Sequence, residues 1–163
     1  MKLYLAGPDV FRSDALAWAD TARALCAAHG HEALVPLDGD AIDAAGIYAA
    51  NVAMIRAADV VMANLMSFRG VEPDSGTAFE VGFASALGKP VIGYLPDAAV
   101  LRDRVAQGFG PLRQTEDGAL DRNGQRVEDF GLPLNLMLAI AARIVVGDLS
   151  DALAALTRFV PHD

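Results

Sequence analysis

Glu72-Pro-Asp-Ser-Gly-Thr-Ala-Phe-Glu80-Val-Gly-Phe-Ala-Ser-Ala-Leu-Gly-Lys-Pro90-Val-Ile-Gly-Tyr-Leu95 holds one complete helix-to-strand unit. Pro73, Asp74 and Ser75 supply turn and capping chemistry, so a helix begins at Asp74 or Ser75. Gly88 ends it, and Pro90 to Leu95 follows as a short apolar run without polar alternation. That is the pattern of a strand covered on both faces. A helix feeding directly into such a strand is the repeating unit of a parallel sheet.

The same unit recurs toward the N-terminus. Val60 to Leu65 is a second continuous apolar run, introduced by Asp59 and preceded by a helix over Ile47 to Ala58. Lys2 to Ala6 reads as a first strand closed by Gly7-Pro8. Ser13 caps a helix to about His29, with Leu16, Ala19, Ala22 and Leu25 on its apolar face, and Gly30 stops it. Glu32 to Leu37 is then a strand and Asp38-Gly-Asp a loop. The alternation predicts a single-domain α/β fold over residues 1–163, with one Rossmann-like parallel sheet and helices on both faces. Its ligand crevice lies at the carboxyl ends of the strands. Tyr4 to Phe11, Leu65 to Asp74 and the start of the helix after Asp74 meet there.

From Asp97 to Gly131 the pattern weakens. A short helix near 98–106 and a long loop or small hairpin around Asp121-Arg-Asn-Gly124 are expected, since Asn-Gly is a turn signal. Two helices, roughly Leu134 to Val146 and Ser150 to Phe159, are expected to close the chain.

Bulk properties exclude several function classes. The 163-residue chain carries 13 basic against 21 acidic residues, a formal charge of -8, with no basic stripe to meet a phosphate backbone. No nucleic-acid partner is expected. Leu132 to Gly147, the most apolar stretch, is interrupted by Asn135 and Arg143 and is short for a membrane span, so no membrane association is expected either. The N-terminus lacks the pattern of a signal peptide, and a cytoplasmic location is the default expectation. The lone Cys26 reads as a small buried hydrophobe.

The same helix that decides the fold carries an unusual carboxylate. Glu80 lies about five residues inside it, aligned with the small residues Gly76 and Ala84 and beside an apolar stripe of Phe79, Phe83 and Leu87. Small neighbours leave room for a ligand over that turn, and the nearby helix N-terminus favours the ionised form that a nucleophile needs. Asp74 does not share a helical face with Glu80. It either caps the helix or folds back toward the pocket mouth. No third convergent ligand accompanies the two acids, so no metal is expected. Leu5-Ala-Gly-Pro-Asp lacks the ordered glycines of a dinucleotide fingerprint and no phosphate-binding loop follows any strand, so no cofactor is expected. Nor does a serine or cysteine pair with a histidine: His29, His31 and His162 read as structural or solvated. What remains is a carboxylate nucleophile in a shaped pocket, a recurring solution for glycosyl transfer.

Taken together, Tyr4-Leu-Ala-Gly-Pro-Asp-Val-Phe11, the segment Asn51 to Leu65, Asp74-Ser-Gly-Thr-Ala-Phe-Glu80-Val-Gly with its following Ala-Leu-Gly-Lys-Pro, and Gly131-Leu-Pro-Leu-Asn135-Leu-Met137 resemble the nucleoside 2-deoxyribosyltransferase family. The resemblance implies a flavodoxin-like sheet and transfer of a 2-deoxyribosyl group between nucleobases, with 2'-deoxynucleosides and free nucleobases as partners. It implies that Glu80 is the nucleophile, forming a covalent glycosyl intermediate, that Tyr4 orients it, and that Asp74 meets the sugar 5'-hydroxyl. Gly76 borders the pocket, Gly7 admits the sugar and Phe11 lines the base site. Asn135 and Met137 match residues contributed by a neighbouring subunit, which makes a homodimer or a hexamer of dimers the expected assembly. Asn51 departs from the acid that some members place there. An amide is a poor proton donor but can hydrogen-bond base or sugar, and Asp59 is an alternative acid. Two other functions stand beside transfer at this point: N-glycoside hydrolysis of nucleosides or their 5'-monophosphates, and nonenzymatic nucleotide binding or signalling.

Overall fold

Successive strand residues point to opposite faces, and in this chain both sets are apolar. In the computed structural model, which describes residues 1–159, Leu3 and Leu5 enter one buried cluster while Tyr4 and Ala6 enter the other. Strand β1 (Lys2–Ala6) pairs with β2 (Glu32–Leu34) on one side and β3 (Val60–Asn64) on the other. β4 (Val91–Leu95) and β7 (Arg143–Val146) continue the sheet, giving the order β2-β1-β3-β4-β7 with every pairing parallel. Helices α1 (Ala15–Ala28) and α6 (Leu149–Phe159) cover the Leu3 face. Helices α2 (Ala44–Ala57), α3 (Ser75–Ala86) and α5 (Leu136–Ala141) cover the Tyr4 face. This is the α/β arrangement expected, a single domain with a flavodoxin-like sheet flanked on both faces. Strand order reverses between β1 and β3, and the crevice opens there.

Local chemistry sets the helix boundaries. The Asp74 side chain accepts from the Thr77 amide at 3.0 Å and starts α3, and the Asp43 side chain does the same for α2 through Gly46. Helix α2 therefore starts earlier than its apolar pattern suggests. Strand β2 is shorter than expected, because Val35 to Asp38 turn back: Asp38 Oδ2 accepts from the Val35 amide at 2.7 Å. Asp14, not Ser13, is the N-cap of α1, and its side chain makes no capping bond.

The largest correction lies near the C-terminus. The helix expected over Leu134 to Val146 is one short helix, α5, followed by a fifth strand of the main sheet, β7, paired to Ile92–Leu95. A short apolar run does not distinguish helix from buried strand by periodicity, and here the free edge of β4 decides. Gly93 accommodates the pairing: a Cβ there would lie 2.5 Å from Leu65 Cδ1 and 3.1 Å from Ile144 Cδ1. Between β4 and α5 the chain forms α4 (Leu101–Phe109) and an antiparallel hairpin of β5 (Arg113–Thr115) and β6 (Gly118–Leu120). The expected turn at Asn123-Gly124 also forms: it follows β6 and returns the chain antiparallel to it, through a Leu120–Arg126 bridge and the Val127 amide on the Ala119 carbonyl.

Candidate active site

Tyr4 leaves β1 on the face that α3 covers, and α3 presents Glu80 to it. The Tyr4 hydroxyl donates to Glu80 Oε1 at 2.6 Å, bridging 76 residues of sequence. Oε2 accepts no hydrogen bond from the described residues. Burial pushes the Glu80 carboxyl up to about 7; the Tyr4 bond opposes that rise and the Asp74 charge adds to it. The ionisation expected from the helix N-terminus is thus outweighed by desolvation. Tyr4 is itself raised far above the ordinary phenol range, first by burial and then by Glu80, so it remains a proton donor. The buried face of α3 is Thr77, Val81 and Ala84, not the Phe79 stripe: Phe79 stays half exposed and stacks with Phe83 at 6.0 Å.

Glu80 opens into a cavity of about 390 Å³ that Asp74, Gly76, Asn51 and Phe11 also line. Pro36, Leu37 and Ile47 add apolar surface from the β2–α2 connection and α2. Four residues singled out in the sequence are therefore brought together with the carboxylate. Asp74 fulfils both readings at once, since it caps α3 through Oδ2 and also borders the cavity. Gly76 is required beside it, because a Cβ there would lie 2.9 Å from Asp74 Oδ2. Asn51 Oδ1 is buried without a hydrogen-bond partner among the described residues. A buried amide oxygen left unpaired costs about 1–3 kcal/mol. Phe11 is mostly exposed at the rim, stacked on Phe68 at 5.3 Å, with the Arg69 guanidinium over both rings.

Other expected residues fall elsewhere. Gly7 does not line the cavity; its lack of a side chain serves packing, as a Cβ would meet Asn64 Cβ at 2.8 Å. Asp59 lies at the amino end of β3, away from the crevice, accepting from the Lys2 amide at 2.7 Å. His29 caps the end of α1 and His31 precedes β2, both also at the amino ends of strands. His162 lies outside the described residues. Buried Cys26 has its thiol pushed up to about 11 and is held unreactive. Among the described residues, no three His, Cys, Asp or Glu side chains converge as metal ligands, and no helix is long and apolar enough to cross a membrane.

Asn135 and Met137 do not line the Glu80 cavity of their own chain. Asn135 borders a separate cavity of about 280 Å³ with Glu72, Val105, Arg126 and Glu128. Met137 is 71% exposed and Ile140 73%, on the helix that packs against α3. Sequence reading passed over two further polar residues at the strand ends. Asn64 donates to Asp9 Oδ2 at 2.8 Å, both largely buried, tying β3 to the loop after β1. Their signal is weak in sequence, since a single Asn closing an apolar run looks like an ordinary strand terminus.

The family profile described as Nucleoside 2-deoxyribosyltransferase matches residues 3–137, which includes Tyr4, Asn51, Asp74, Glu80 and Asn135. The chain belongs to that family. Its fold is also that of a solved nucleoside 2-deoxyribosyltransferase-type structure, a 2-desoxiribosyltransferase from Leishmania mexicana. The two are 36% identical with a TM-score of 0.78, over 96% of this chain and 97% of that one. A 2-deoxyribosyltransferase from Bacillus psychrosaccharolyticus shares the fold at 22% identity and a TM-score of 0.50, over 80% of this chain and 93% of that one. So does the CMP N-glycosidase BcmB of Clostridium botulinum, at 15% and 0.52, over 98% and 100%. Comparison with curated proteins found no significant match. Glycosyl transfer of the nucleoside 2-deoxyribosyltransferase type is the activity that this membership carries.

Proposed function

We propose that the protein moves a 2-deoxyribosyl group reversibly between nucleobases through a covalent bond to Glu80. The observation that carries this reading is the Tyr4–Glu80 pair, in which Glu80 lines the cavity and the fully buried Tyr4 holds it from behind. Tyr4 occupies Oε1 and leaves Oε2 to attack the anomeric carbon. As the new C–O bond forms, the glycosidic C–N bond breaks and its electron pair leaves with the base, which takes up a proton. A second base then attacks the same carbon from the vacated side, the ester opens and Glu80 returns as a carboxylate. Two inversions retain configuration.

Each neighbouring residue has a role in that sequence. Asp74 Oδ2 is committed to the helix cap, and Oδ1, without a partner among the described residues, accepts the sugar 5'-hydroxyl. A 5'-phosphate meets repulsion there, which favours nucleosides. Asn51, which lines the cavity beside Glu80, hydrogen-bonds the base or the sugar through its side-chain amide. Because an amide is not an efficient proton donor, water or another acid supplies the proton. Phe11, backed by Phe68, provides the flat apolar wall for the base.

The assembly follows from what one chain leaves unfinished. Phe79 on α3, partly covered by Tyr48 and Phe83, and Met137 and Ile140 on α5 leave apolar surface exposed on two adjoining helices. A second copy of the chain covers that surface and brings Asn135 and Met137 to the sugar end of the first copy's cavity. A homodimer is the smallest assembly that does this, and a hexamer of dimers repeats it.

The test is product analysis. A 2'-deoxynucleoside incubated with an acceptor base yields the exchanged nucleoside rapidly, and mass spectrometry captures a glycosylated peptide containing Glu80. Equal release of free base with and without the acceptor identifies a hydrolase instead. Binding without turnover identifies a nucleotide-binding domain.

A further inference from the structure

The excursion between β4 and α5 contributes nothing to the Glu80 cavity, yet it ends on a specific contact. Both oxygens of Glu128 are engaged: Oε1 accepts from Asn135 Nδ2 at 2.7 Å and Oε2 from the Leu136 amide at 3.0 Å. Asn135 Oδ1 in turn accepts from the Met137 amide at 3.0 Å. The Asn135 amide group is therefore held at both ends and cannot rotate without breaking a charge-assisted bond. Its Nδ2 carries two hydrogens, of which Glu128 takes one. The second keeps a fixed direction.

The position of Glu128 is itself enforced. The Val127 amide donates to the Ala119 carbonyl of β6, and the Leu101 amide of α4 donates to the Leu132 carbonyl. Arg102 pairs with Asp129 at 2.7 Å. Residues 127–132 thus form a strap pinned to the hairpin at one end and to α4 at the other, with Glu128 projecting onto the first turn of α5.

We propose that Glu128 is a positioning residue of the transfer reaction, acting through Asn135 on the sugar bound in the neighbouring subunit's cavity. The inference rests on the reading above that Asn135 serves a second copy of the chain. It assigns a purpose to the excursion: the hairpin and α4 carry the strap that aims Asn135. A purely local capping role for Glu128 affects helix stability and assembly, and leaves turnover per assembled site unchanged.

Glu128→Ala is expected to lower kcat/KM about tenfold in an oligomer of unchanged size, the loss of one charge-assisted bond. Glu128→Gln keeps an acceptor for one of the two donors but sets its own amide against the other, and falls between. In an Asn135→Ala background, Glu128→Ala costs nothing further, because the group it orients is gone. An equal further loss overturns the proposal, as does wild-type turnover by both Glu128 variants.

The deciding experiment is subunit mixing. Glu80→Ala subunits have no nucleophile but retain Glu128 and Asn135, whereas Glu128→Ala subunits retain the nucleophile. In mixed dimers one site combines the intact Glu80 of one copy with the intact strap of the other. Random pairing then gives about fivefold more exchange than the unmixed average of the parents. No gain on mixing overturns the proposal while leaving the Glu80 mechanism intact. Exchange by Glu80→Ala alone overturns the Glu80 mechanism instead. If Glu128→Ala does not assemble, Glu128→Gln carries the same mixing test, and absence of any gain from it has the same meaning.

Discussion

Asp74 at the start of α3 and Asn135 at the start of α5 are both N-cap residues, each accepting from a backbone amide two or three positions on. Both belong to segments that resemble family motifs, and both are read as meeting the sugar. Asp74 lines the cavity that contains Glu80, with one oxygen left unpaired. Asn135 lies on a different cavity, and its amide is bound to Glu128 from within its own chain. The same capping geometry therefore borders the Glu80 cavity in one case and lies apart from it in the other. The difference comes from what surrounds each cap: α3 rests on β1 and β3 beside the crevice, whereas α5 sits at the outer flank of α3 with exposed Met137 and Ile140.

The strongest way to break this comparison is to remove the nucleophile at its centre. Glu80→Ala is expected to reduce exchange by about 10⁴-fold or more while leaving assembly intact. The stability of Glu80→Gln separates chemistry from folding. The Glu80 carboxyl is raised from 4.5 to about 7, so the native state binds more protons than the unfolded chain between those values. Wild-type stability consequently falls as pH rises through that window. Glu80→Gln removes the fall and is expected to be more stable by about 1–3 kcal/mol above pH 7, measured by denaturant titration across pH.

Asn135→Ala tests the cap of α5. It is expected to lower kcat/KM about ten- to a hundredfold, chiefly through kcat, with Glu80→Ala subunits rescuing it in mixed oligomers. Rescue by mixing separates it from Asp74, whose loss no partner repairs. Tyr4→Phe probes the hold on Glu80 from behind: the hydrogen bond that lowers the Glu80 value is gone, so the acid limb of the kcat/KM profile moves to higher pH, with about tenfold loss at neutral pH. An unchanged limb would break the link between Tyr4 and the nucleophile. Asp74→Asn gives the smallest effect. It keeps a capping oxygen, costs at most about 1 kcal/mol of stability, and narrows the preference for a 5'-hydroxyl over a 5'-phosphate by a few-fold in KM.

Much of this layout was legible along the chain. Apolar runs at Leu3, Val60 and Val91, separated by capped helices, demand a covered parallel sheet, because each run must bury both faces. Asp74 and Glu80 stand out as a capping acid and a carboxylate beside a packed helix face, whereas Tyr4 and Asn51 were marked only by the resemblance to the family. The β7 strand was not legible, since Arg143 to Val146 continues the apolar character of α5 without a break. Only the unpaired edge of β4 chooses extension over helix. Nor was the perturbed Glu80 legible, because helix position alone favours ionisation and the opposing desolvation comes from β1, α2 and the loop before α3 closing around it.

Sequence by itself determined the alternation of strands and helices as far as β4, the cap at Asp74 and the side chains available for carboxylate chemistry, since these depend on neighbours within a few positions. Tertiary structure alone decided which of them meet. The Tyr4–Glu80 bond spans 76 residues and the Asp9–Asn64 bond 55, and such pairs form only when the sheet brings strand ends to one rim. It also decided that Asn135 lies on a different cavity from Glu80, held there by Glu128 from seven residues earlier.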